Sequence, residues 1–223
     1  MGDHWEELPL FPMDLVLFPY ASLQVHVVDA RFKSLIRHCV KMDQSFGIVL
    51  TRPSAQGRQT DDAYLVGTAA RVLSVQSFDD GNLEVSVKGE RRFRIRKLDE
   101  SGEFPVGMVE AVVELEVESS PRAHALSYKT REYTEAYIAS QFSMAAYKVA
   151  MVRLPQDMTA LSFLVANLLH IENIEKQRML ETTDTLERLA ELIPILERQI
   201  LEASSKECVS LGPEALSHWL HPN

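Results

Sequence analysis

Between Val117 and Pro121 the apolar spacing changes from about two residues to about 3.6, and this switch limits what the chain can fold into. Before it, apolar residues alternate or form short runs broken by turn residues: Leu15-Val16-Leu17-Phe18, Leu23/Val25/Val27, Gly47-Ile48-Val49-Leu50, Ala69/Val72/Val75, Leu83/Val85/Val87, Phe93/Ile95 and Met108 to Leu115. That is strand patterning. Its clearest hairpin joins Val72–Phe78 to Leu83–Val87 through Asp79-Asp80-Gly81-Asn82, where Asp-Gly supplies the turn. One helix is expected at Ala30–Met42, capped by Asp29, with Phe32, Leu35, Ile36, Cys39 and Val40 on one face. Residues 51–63 are polar, contain proline and glycine, and read as an exposed loop.

After the switch the pattern is helical to about Ser204. Ser120 is placed to cap and Pro121 to open the first helix. Asp157 caps a segment running through Ile171, and Asp184 with Glu187 has capping-box spacing ahead of a helix from Thr185. Leu186, Leu189, Ile193, Leu196 and Ile200 form that helix's stripe, and Pro194 within it predicts a kink or a break. The fold class is therefore α+β, with a β domain at 1–118, helices at 119–205 and a tail at 206–223.

Composition removes several functional classes. Apolar residues at 46% and charged residues at 25% describe a globular chain, and the net charge of −9 disfavours general nucleic-acid affinity. Neither part is a basic module: the first 120 residues hold 13 basic and 19 acidic side chains (−6), and the remainder 10 and 13 (−3). The nine glycines do not build a phosphate loop. Gly102 and Gly107, the one pair at P-loop spacing, are followed by Met108 and Val109, and no two glycines stand one residue apart. Met1–Pro9 is acidic and unlike a secretory signal, and no window has the length of apolar sequence a spanning helix needs, so a cytoplasmic chain without membrane contact is expected. Cys39 and Cys208 stand alone and read as free thiols.

No motif for nucleophilic or metal-assisted catalysis is present, and no cofactor or metal is expected. His218 and His221 share a helical spacing but read better as part of an amphipathic tail, and His26 as a core or edge histidine. Arg92, Arg94 and Arg96 alternate with Phe93 and Ile95, so on a strand their guanidinium groups would line one face about 7 Å apart. Such a ridge suits acidic peptide or RNA phosphate, against the plainer reading of a solvated face. Leu8-Pro9-Leu10-Phe11-Pro12 and Val16-Leu17-Phe18-Pro19-Tyr20 are mostly core; what they leave at a groove or sheet edge would suit extended polypeptide.

These two runs, followed by Leu23-x-Val25-x-Val27 and Asp29-Ala30-Arg31-Phe32, resemble the N-terminal substrate-recognition domain of the Lon ATP-dependent proteases. The resemblance continues through Phe46-Gly47-Ile48-Val49-Leu50, Val66-Gly67-Thr68-Ala69-Ala70 and Val87-x-Gly89-x-x-Arg92-Phe93-Arg94-Ile95, and into the helices at Lys176-Gln177-x-x-Leu180-Glu181 and Arg188-Leu189. It implies a PUA-like pseudo-barrel with one inserted helix, then a helical bundle, in a stand-alone Lon-domain protein without the ATPase and peptidase. The implied role is non-catalytic recognition of unfolded or tagged polypeptides, with service as adaptor to a protease or chaperone left open. Candidate contacts are Phe18, Pro19, Tyr20, Arg31 and Phe32, with Arg92, Arg94 and Arg96 steering acidic segments. A PUA-like RNA-binding module and an unrecognised hydrolase are the alternatives.

Overall fold

The computed structural model describes residues 5–52, 63–141 and 153–205. Its strands and helices run β1 (Glu6–Met13), β2 (Ser22–Val27), α1 (Ala30–Met42), β3 (Phe46–Leu50), β4 (Val66–Ser77), β5 (Leu83–Asp99), β6 (Val106–Ala111), α2 (Pro121–Gln141), α3 (Met158–Leu168), α4 (Asn173–Glu181) and α5 (Thr185–Ser205). The expected α+β class and inserted helix are present. Contacts gather them into two compact units, one reaching to Val113 and taking in Ile171–Glu181, the other formed by Glu114–His170 and the chain from Thr182. Helix α4, expected among the helices of 119–205, thus groups with the strands.

In the first unit the sheet order is β2-β5-β4-β3-β1-β6, and β6 pairs again with β5. This closes a five-stranded ring in which β1–β3 is the parallel pair. The 17-residue β5 makes closure possible. Its first half runs between β2 and the distal part of β4, and its second half pairs with β6. Register shifts between Ala69 and Ala70, between Val72 and Ser74, and between Ile95 and Lys97 mark where the ladder bends, as bulges do in barrels. Leu8, Leu10, Val49, Ala69, Phe93, Ile95 and Val109 fill the interior. A Cβ on Gly67 would fall against the Ile48 carbonyl oxygen and the Phe93 ring, so only glycine lets the strands close around that ring.

Asp29 Oδ1 accepts from Arg31 N at 2.8 Å and caps α1, whose Phe32, Leu35, Ile36 and Cys39 are buried. Phe32 stacks on Phe11 with ring centroids 4.3 Å apart. Lys33 Nζ donates to Asn82 Oδ1 at 2.9 Å, tying the helix to the β4–β5 turn. One expectation fails here: Leu15–Phe18 is irregular chain, not strand. Its apolar run reflects burial of a connection, with Val16, Leu17 and Phe18 nearly inaccessible and Leu17 O accepting from Thr68 Oγ1 at 2.5 Å.

In the second unit α3 is buried over Leu161–Ala166, as befits a helix apolar on all sides. Asp157 and Asp184 cap α3 and α5 as expected, and Ser120 Oγ accepts from Ala123 N. Helix α2 buries a stripe of small residues, Ala123, Ser127, Thr130 and Thr134, that hydropathy does not register. Helix α5 runs through Pro194 without the break allowed for, and the ring is exposed there. Leu189, Ile193 and Leu196 are buried as expected. Arg188, without accessible surface, donates to Ser162 Oγ (2.8 Å), Thr182 O (2.5 Å) and Glu114 Oε2 (3.1 Å), and its guanidinium lies 4.1 Å from the Phe163 ring centroid. Burial pulls its pKa down, and the Glu114 carboxylate offsets that.

Two substitutions test these supports. Gly89→Ala places a Cβ on the Phe18 carbonyl oxygen and is expected to lose about 1–3 kcal/mol in urea unfolding. Glu114→Ala leaves the Arg188 charge buried without its counter-ion and is expected to lose about 3 kcal/mol, read on the helical signal. Wild-type stability in either variant would show that the neighbouring chain yields freely.

Candidate polypeptide-binding surface

The distal β4–β5 hairpin, with β2 on its other side, forms an arm of the first unit. Directly opposed residues share a face. Leu23/Val87/Val72, Val25/Val85/Val75 and Val27/Leu83/Ser77 form the inner face, where Val25, Val27, Leu83, Val85 and Val87 are buried. Ser22/Lys88/Arg71, Gln24/Ser86/Ser74 and His26/Glu84/Gln76 form the outer face. The shift between Val72 and Ser74 sets both Leu73 and Ser74 opposite Ser86 and turns Leu73 outward, 56% exposed. Phe78 lies on the same side, 40% exposed, its ring 6.2 Å from that of His26.

The arm also has an open edge. From Val72 to Ser77, β4 pairs with β5 on one side and, among the described residues, with no strand on the other. Val72-Leu73-Ser74-Val75-Gln76-Ser77-Phe78 carries no charge and no proline. At one end Arg71 is held by Glu90 (2.9 Å) and Asp43 (3.1 Å), and at the other stand Asp79 and Asp80.

At the base of the arm a turn spans Phe18–Ala21, with Ala21 N donating to Phe18 O at 3.2 Å. Pro19 occupies the turn position that suits its fixed φ, and Tyr20, at φ 69°, stands where such turns take glycine. Tyr20 N donates to Gly89 O and Gly89 N to Ala21 O, both at 2.8 Å, so β5 holds the strained residue in place. The Tyr20 side chain is about half exposed.

Of the eight candidates read from sequence, the structure leaves two on the surface. Tyr20 is at the arm's base and Arg96 near the far end of β5, seven residues beyond Gly89 and roughly 20 Å along a strand. Phe18 and Pro19 are buried at the start of the turn, and Phe32 is buried against Phe11. Arg31 is half-buried, its guanidinium 5.0 Å from the Phe32 ring centroid. The arginine ridge is corrected. Phe93 and Ile95 do point inward, but α4 covers part of the opposite face. Arg92 is 3% exposed and donates to Leu180 O at 2.6 Å, beside Gln177 Nε2 donating to Val66 O at 3.0 Å. Arg94 is half-buried, and Arg96 pairs with Glu110 at 2.5 Å, a hydrogen bond that lowers the Glu110 pKa. Leu73 and Phe78 were not singled out from sequence, although apolar residues at both parities of one short strand, Val72/Leu73 and Val75/Phe78, carry the signal of a bulge.

Burial pushes the Cys39 thiol up to about 11, which leaves it protonated and unreactive at neutral pH. His26 is exposed on its edge strand, and Cys208, His218, His221 and the 53–62 part of the expected loop lie outside the described residues. Among the described residues no group of three or more His, Cys, Asp or Glu is placed to hold a metal ion, and no helix is long and apolar enough to cross a membrane.

The first unit is thus a closed barrel whose β4–β5 hairpin leaves one edge of β4 without a strand partner among the described residues. The profile of the ATP-dependent protease La (LON) substrate-binding domain matches residues 7–198, and the chain belongs to that family. It is 28% identical over 214 residues to the Lon protease of Syntrophus aciditrophicus, covering 90% of this chain and 26% of that protein. With the Lon protease of Rhizobium meliloti it shares 28% over 199 residues, covering 86% and 24%. The chain thus spans about a quarter of the length of the curated relatives it matches. Two solved structures share the fold, each with a TM-score of 0.63: a Lon N-terminal domain protein from Xanthomonas campestris (23% identity, 85% of this chain and 98% of that one) and the N-terminal domain of the Mycobacterium avium complex Lon protease (22%, 86% and 98%).

The Tyr20 turn yields a measurable consequence. An L-residue in the left-handed region costs about 1–2 kcal/mol, and glycine gives back part of that gain through its freer unfolded chain. Tyr20→Gly is expected to stabilise the protein by about 0.5–1 kcal/mol in urea unfolding. A loss of stability would mean that ring packing outweighs backbone strain.

Proposed function

We propose that this chain recognises extended, unfolded polypeptide without catalysing its cleavage, and that the arm of the first unit is the contact surface. The observation that carries the proposal is the uncharged, open edge of β4 from Val72 to Ser77, flanked by exposed Leu73, Val75 and Phe78. An incoming extended segment adds as a strand there. Main-chain hydrogen bonds provide affinity independent of sequence, and alternate side chains meet Leu73 and Phe78 on one face and Val75 on the other. Folded proteins have their strands already paired and their apolar side chains buried, so the surface selects for unfolded chains. Membership of a family described by substrate binding supports this reading. The bound segment would be held for a partner protease or chaperone, with this chain as the recognition part.

Burying Leu73 and Phe78, each now about half exposed, contributes on the order of 1 kcal/mol per side chain. Titration of the full chain against fluorescent, reduced and carboxymethylated α-lactalbumin, with native α-lactalbumin as control, is expected to show binding of the unfolded form alone. Leu73→Ser with Phe78→Ser should weaken it about thirtyfold, with the unfolding midpoint little changed because both side chains are exposed. Equal binding of both forms, or none of either, would sink the proposal.

A further inference from the structure

Among the described residues the barrel has an open mouth at the end where β1, β3 and β5 approach one another. A cavity of about 190 Å³ lies there, with Leu10, Val49 and Ile95 as its floor and Ala63, Leu65 and Leu98 around its rim. Its lining holds no polar side chain. The floor belongs to the buried core, whereas Leu65 is half exposed, so the cavity joins the hydrophobic interior to the surface. Nearby main-chain groups are already engaged: Ile95 N donates to Leu65 O at 2.8 Å, Tyr64 N to Leu50 O at 2.9 Å and Thr51 N to Met13 O at 2.9 Å. The mouth therefore offers mainly apolar contact, the reverse of the β4 edge.

Size and sequence narrow the occupant. An apolar cavity of about 150 Å³ takes up benzene, so this one accommodates a phenyl ring or a branched aliphatic group. Residues 53–62, which in sequence connect Arg52 to the rim residue Ala63, read Pro-Ser-Ala-Gln-Gly-Arg-Gln-Thr-Asp-Asp and hold no side chain of that kind. We infer that the barrel mouth is an anchor pocket for one phenylalanine, leucine or similarly sized apolar side chain of the bound polypeptide. The inference rests on the polypeptide-binding reading and deepens it, because it sets a class of segment. Val87 on the arm and Ile95 at the mouth are eight residues apart on β5, at most about 27 Å, so some eight to ten extended residues bridge the two. The preferred client segment has an uncharged extended stretch and a large apolar residue eight to ten positions away.

The test uses the full chain with 13C-labelled leucine methyl groups, toluene as small probe and reduced, carboxymethylated α-lactalbumin as polypeptide. Toluene is expected to shift the Leu65 and Leu98 methyl signals. Ala63→Phe, which fills the mouth, should abolish the Leu65 and Leu98 shifts, and it and Leu65→Asp, which charges an exposed rim position and spares the fold, should each weaken polypeptide binding about tenfold. Unchanged polypeptide binding in Leu65→Asp overturns the anchor and leaves the arm standing. No binding by the wild-type chain overturns the arm and the anchor together. Leu65 and Leu98 signals that toluene does not move mean that the chain fills its own mouth, and that too overturns the anchor.

Discussion

The architecture of the first unit depends on one strand doing two jobs. Residues 83–88 of β5 pair with β2 and distal β4, residues 93–99 pair with β6, and the ladder between them is bent by register shifts. A straight strand of 17 residues would run well past a small barrel, leaving its ends unpaired. The bend lets the second half close the ring while the first half leaves it as an arm. Gly89 sits where the bend meets the turn at Phe18–Ala21, with main-chain hydrogen bonds to both Tyr20 and Ala21 and no room for a side chain. Barrel closure, display of Tyr20 and the open edge of distal β4 thus share one cause.

Buried arginines solve a problem that this arrangement creates. The outer face of β5 around Arg92 would be ordinary solvated sheet, but α4 lies on it and Arg92 becomes a cross-link to the last turn of that helix. The C-terminal carbonyls of a helix attract cations, so the guanidinium is both satisfied and well placed. Arg188 acts similarly in the second unit, joining Ser162, Thr182 and Glu114 around a guanidinium that has no accessible surface of its own. Neither charge is available for ligand, and both contribute to specifying where chain segments lie.

Legibility in the sequence follows from how local the determining physics is. The hairpin with Asp-Gly, the Asp29, Asp157 and Asp184 caps and the change of period near Pro121 involve neighbours in sequence, and they are present. The alternation of Arg92, Phe93, Arg94 and Ile95 was equally readable, yet its meaning depended on what covers the outer face, and α4 lies some eighty residues away. Leu15–Phe18 misled for a related reason: an apolar run reports burial, and burial of a connection looks like burial of a strand. Leu73 escaped notice because a bulge exchanges the two faces of a strand at one residue, which simple alternation does not represent.

An open uncharged edge is a hazard that most proteins suppress, since it can pair with another copy of itself. Here the suppression is partial and local. Charged residues mark both ends of the run, Arg71 in its ion pairs and Asp79 with Asp80, while seven residues between them carry none. The bulge at Leu73 adds twist near the middle of the arm. Two such edges, each rigid and twisted, match poorly along their length. A flexible unfolded chain has no fixed twist and can follow the edge residue by residue. The same bulge that turns Leu73 toward solvent therefore sets the edge against pairing with its own kind, which links the local geometry of one residue to the behaviour of the whole edge.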